Sequence, residues 1–125
     1  MGLSLLVLPV LLAQAPMVVS GRSQATGDRV DVAFEELSTG QPERAIERIK
    51  ANRTLEPDDP ARLLNLGAAY ARLGREKAAR DMYAAILLGS TRYNLELADG
   101  RWMDSHHAAR RALRLLETGQ TLALR

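Results

Sequence analysis

The sequence predicts an all-α fold of antiparallel helix hairpins in about three repeats, the third of them shortened. Three observations carry that expectation. The chain repeats its own punctuation at a spacing of 34 residues, Gly40 being answered by Gly74 and Ala45 by Ala79. Hydrophobic residues make up 46% of the 125 residues but include only one Trp, three Tyr and one Phe, so Ala and Leu must fill the core, a composition suited to close-packed helices. Beta-branched residues gather mainly before residue 32, and no later segment reads as alternating over strand length.

The best-formed unit runs from Pro60 to Tyr93. Asp59 is a good helix cap and Pro60 a good first helical residue, because proline's missing N–H is harmless in the first turn. Leu63-x2-Leu66-Gly67-x2-Tyr70, and then Ala79-x3-Tyr83, set small against large residues at helical spacing, with Gly74 between the two halves. This pattern resembles the tetratricopeptide repeat, a helix hairpin with a period of 34 residues. The resemblance implies that the hairpins stack as a short solenoid, that Gly67 and Ala79 lie where helices cross, and that Tyr70 and Tyr83 plug the space around them. It further implies a non-catalytic module that binds a protein or peptide in a concave groove. Val30 and Phe34 of the first repeat would line that groove, with Leu64, Asn65, Ala68 and Arg72 of the second. Asn65 would hold the backbone amides of an extended peptide, and Arg72 an acidic side chain. A clamp for a chaperone's terminal carboxylate is not expected, since Val30, Phe34, Asn65, Leu87 and Thr91 supply one polar residue of the required type.

Residues 1–15 form an uncharged apolar run ending in Ala13-Gln14-Ala15, as a secretory signal peptide does. Cleavage anywhere from 15 to 25 fits the small residues there, which points to an exported, periplasmic protein. The alternative is an anchor left uncleaved, although the run is short against the roughly 20 residues of a membrane span. Residues 20–27 are small and polar and read as a linker. The expected division is therefore leader and linker over 1–25, a helical domain over 26–118, and a flexible tail over 119–125.

Asp28 is placed to cap a helix from Arg29 to Ser38, which Gly40 ends. A second helix starts at Pro42 and runs through Ala45, Ile46 and Ile49 to about Thr54. This first repeat is degenerate, since Ala33 and Glu36 stand where the second has Gly67 and Tyr70. The third unit is marked by Gly100, Trp102 and Ala112. Gly100 follows Gly74 by 26 residues, which predicts a shortened helix over Ser90 to Ala98. A last helix from about Trp102 to Glu117 follows, and Gly119 ends it.

The chemistry is sparse. Seventeen basic and fifteen acidic residues are interspersed, so no nucleic-acid partner is expected. There is no Cys. His106 and His107 are adjacent on the last helix, about 100° apart, and cannot converge on one metal as an i, i+4 pair can. Ser105 between Asp104 and His106 is not a triad, and no phosphate-cradling glycine loop occurs. Neither catalysis, cofactor, metal nor small-molecule substrate is expected. A short array leaves open ends, so the competing reading is an assembly or stability subunit of an envelope complex docked through an end face, with self-association a further outcome. An enzyme built on the histidine pair stands third.

Overall fold

The structure, a computed structural model, describes residues 17–24 and 27–123; the expected leader over residues 1–15 lies outside them. Within the described residues, five helices accompany a three-stranded antiparallel sheet, so the expectation of an all-α fold is overturned. In chain order the elements are β1 (Val19–Ser23), α1 (Phe34–Ser38), α2 (Pro42–Ala51), α3 (Pro60–Arg72), α4 (Glu76–Leu88), β2 (Asn94–Leu97), β3 (Trp102–Asp104) and α5 (Ser105–Ala123).

Helix α3 is the centre of the domain. The Asp59 carboxylate accepts from the Arg62 amide at 3.0 Å and caps it, with Pro60 in the first turn. Gly74, at φ 73°, turns the chain into α4, which packs back along α3. Where they cross, a Cβ built on Gly67 would lie 2.3 Å from Tyr83 Cε1, so only glycine lets the ring pass. Leu63, Leu66, Tyr70, Ala79 and Tyr83 are buried around this crossing. Helix α5 lies against α4 and α3 with Ala108, Ala109 and Ala112 buried.

The sheet replaces the helix expected over Ser90 to Ala98. Leu95 and Leu97 point into the core while Glu96 between them faces outward, an alternation too short to stand out in the sequence. Gly100 N–H donates to Leu97 O at 2.9 Å and Leu97 N–H to Arg101 O at 2.7 Å, closing a three-residue hairpin loop with Gly100 at φ 87°. The 26-residue spacing thus reflects a hairpin, not a cropped helix. Gly100 serves its turn, and Trp102 stands in β3, 38% exposed, instead of plugging a helix crossing.

Strand β1 pairs antiparallel with β2, Val19 opposite Leu97 and Ser23 opposite Leu95, so that the register shifts between them. Gly21 lies within that bulge at φ 91° and accepts from the Val30 amide at 2.9 Å; a Cβ there would sit 2.1 Å from Val30 O. The expected linker over 20–27 is accordingly folded through residue 24, with Val18 and Val19 in the core. The first helix is shortened for the same reason. Arg29 bridges to Arg22, Val30 is extended beside Gly21, and helix begins only at Phe34, behind Ala33 at φ 58°. Asp31, not Asp28, holds this entry, its carboxylate accepting from the Ala33 amide at 3.1 Å.

Two ends are also corrected. Helix α5 begins at Ser105, with the Asp104 carboxylate accepting the His107 amide at 3.0 Å. It runs past Glu117 and through Gly119 to Ala123, so the expected tail is helical to that point.

Candidate functional site

The expected groove face of α3 is covered. Leu64, Asn65 and Ala68 are fully buried, with β1 lying against the helix. Asn65 makes three hydrogen bonds there. Its Oδ1 accepts from the Val19 amide at 2.8 Å, and its Nδ2 donates to Val19 O at 2.8 Å and to Val32 O at 2.9 Å. Both amide hydrogens are therefore spent inside the chain. The sequence expectation that Asn65 would grip an extended polypeptide describes the chemistry seen, but the polypeptide is this chain's own β1. A neutral amide suits the position, because it presents a donor and an acceptor to the C=O and N–H of one residue without burying a charge.

The remaining groove residues fall into two separate places. Val30 and Phe34, partly buried, line a cleft of about 490 Å³ together with Ser20, Asp31, Glu36 and Arg48. Arg48 organises its rim, donating to Glu36 Oε1 at 2.6 Å and to Asp31 Oδ2 at 2.8 Å. Those hydrogen bonds, Glu36 first, hold the Arg48 pKa above its ordinary value. Arg72, an exposed residue whose guanidinium is part-buried, turns that group onto Leu37 O and lines a second cavity with Ala71, Tyr83 and the α5 residues Ala112, Leu115 and Leu116.

Of the residues weighed for chemistry, Ser105 and Asp104 are occupied structurally and His107 is solvated, whereas His106 Nε2 is buried without a hydrogen-bond partner. Ser105 is fully buried and its hydroxyl accepts from the Tyr93 amide at 3.3 Å. His107 is exposed, and no group of three or more metal-binding side chains gathers among the described residues. Asp104 is held below the ordinary carboxylate pKa. Burial works to raise it, but the Arg92 hydrogen bond at 2.7 Å, the His107 amide and the neighbouring positive charges outweigh burial. Tyr93 donates to Asp59 Oδ2 at 2.9 Å, tying the loop before β2 to the cap of α3; burial first, then Asp59, pushes its pKa up.

Three features went unread in the sequence. Val18-Val19 falls in the region that fits leader cleavage, although two β-branched residues ahead of Gly21 are a strand signal. Asp99-Gly100 between Leu95-Glu96-Leu97 and Trp102 was a hairpin signal. The Tyr83 hydroxyl beside Arg72 carried no signal at all. Compared with family models, curated proteins and solved structures, the chain matches none of them.

Proposed function

We propose that this chain is a tetratricopeptide-like, non-catalytic protein-binding module, exported to the periplasm. The observation that carries the reading is the cleft beside the filled groove, where Val30 and Phe34 remain partly open between the ion-paired Asp31, Glu36 and Arg48. Apolar contact area ringed by charge is the make-up of a protein-binding patch. Because β1 occupies the α3 face, the partner docks on this first-hairpin cleft and not along Asn65. Of the cleavage points open to a leader peptidase, one after Ala15 leaves β1 whole, whereas cuts at Ser20 or Ala25 remove part or all of it.

A second reading rests on Leu88, 88% exposed at the end of α4. It makes that end a docking face for an assembly or stability subunit. Photo-cross-linking in cells separates the two. A cross-linker placed at Phe34 is expected to capture one protein, and a Val30→Asp substitution to abolish the capture while Leu88→Ser leaves it intact. Capture lost with Leu88→Ser and kept with Val30→Asp overturns the cleft in favour of the end face.

A further inference from the structure

The cavity between α3, α4 and α5 lies away from the Val30–Phe34 cleft and has its own chemistry. Its volume is about 240 Å³, and its walls are Ala71, Ala112, Leu115, Leu116 and Gly119. Tyr83 is 1% exposed, yet it lines this space. Its ring runs past Gly67, where Cε1 and Cζ come closest to the missing Cβ, and the residue shares the cavity with Ala71 and Arg72, one turn further along α3. Among the described residues no group hydrogen-bonds that hydroxyl. A phenyl ring would fill the helix crossing equally well, so the oxygen is surplus to packing and is left to meet whatever enters the cavity that Tyr83 lines.

Arg72 brings the charge. One guanidinium N–H goes to Leu37 O, leaving further donors on the planar fork. Burial lowers its pKa, and the opposing influence comes from Tyr83, not from a carboxylate. Glu76 also lines the cavity but has an interaction of its own. The phenol, its pKa pushed up by burial, stays a neutral donor at every physiological pH.

We infer that this cavity is a binding site for a carboxylate on a short aliphatic stem, the Arg72 guanidinium and the Tyr83 hydroxyl taking its two oxygens while Ala112, Leu115 and Leu116 enclose the stem. Planar guanidinium matches planar carboxylate, and a phenolic O–H adds a second charge-assisted bond. Two sources carry this group: a free short-chain acid, or the free C-terminus of a polypeptide ending in a small apolar residue. The site does not depend on the cleft reading, and each stands if the other falls.

The test is a methyl and amide NMR titration of the full chain with four probes: butyrate, butyramide, acetyl-Ala-Val with a free carboxylate, and its amide. Saturable shifts at Ala112 and Leu116, with Val30 unmoved, are expected from one or both acids and from neither amide. Butyrate alone binding assigns the free acid, and the dipeptide alone the chain terminus. Tyr83→Phe keeps the ring and is expected to weaken binding about tenfold, the loss of one hydrogen bond to a charged group. Arg72→Gln is expected to abolish it. No shift from either acid, equal shifts from acids and amides, or a Tyr83→Phe chain binding as tightly as the wild type each overturns the assignment.

Discussion

Substituting Gly67 by alanine tests the helix crossing on which the domain is built. At an open helical site the change would gain about 1 kcal/mol of helix propensity. Here the new Cβ would stand 2.3, 2.7 and 2.9 Å from Cε1, Cζ and Cδ1 of Tyr83, all well inside van der Waals contact. Tyr83 is 1% exposed and can yield only by leaving the crossing for the cavity it lines, which gives up its packing against Gly67. Overpacking of this kind costs about 2–3 kcal/mol, so the net expectation is a loss of about 1–2 kcal/mol. Urea denaturation would read it as a lower midpoint at unchanged slope. The decisive comparison repeats the substitution in a Tyr83→Leu background, where the clashing ring atoms are gone and Gly67→Ala should become neutral or stabilising. A wild-type background that tolerates alanine, or the same loss in both backgrounds, would refute the crossing.

Three further outcomes follow from the same structure. Asn65→Asp keeps an acceptor for the Val19 amide but sets a carboxylate oxygen against Val19 O and Val32 O. This raises the carboxyl's folded pKa, so stability relative to wild type should recover as pH falls through it, and a pH-independent deficit would contradict the geometry. Asp104→Ala should cost about 0.5–2 kcal/mol at neutral pH through loss of the α5 cap. Because the folded pKa of Asp104 lies below its ordinary 3.8, wild-type stability from this group is present above that pH and lost as acid protonates it, so the two unfolding curves should converge in acid. Deleting residues through Gln24 removes β1 and orphans the Asn65 amide along with the β1 edge of β2. Circular dichroism and heat denaturation should show a chain without a cooperative transition, and an unchanged melting curve would place β1 outside the domain.

The helical half of the domain was legible because its signals are local. Asp59-Pro60 marks a helix start by capping chemistry, and Gly67 with Tyr83 marks a crossing by the volumes that must fit together. The sheet was not legible, because its strands are too short for a period of two to register. β2 offers Leu95 and Leu97 as its inward pair, and β3 is three residues long. β1 was further masked by composition, since small residues after an apolar run read as a processed linker. Leu64, Asn65 and Ala68 share a face of α3 that the sequence presents as open and that β1 covers. Nothing local to Leu64, Asn65 or Ala68 tells whether that face meets solvent or a strand from 46 residues upstream, the separation between Val19 and Asn65. Only a long-range contact decides it.

That contact is the core of the account, and native-state hydrogen exchange at the Val19 amide tests it most directly. Val19 N–H is fully buried and bonded to a side chain that is itself buried, so it should exchange only through global unfolding, with an opening free energy equal to that from denaturation. In an Asn65→Ala chain the protection of Val19 should fall selectively, while amides in the middle of α4 follow the lowered global stability. Exchange of the wild-type Val19 amide at the rate of an open strand, with α4 still protected, would contradict the account and restore an open groove on α3.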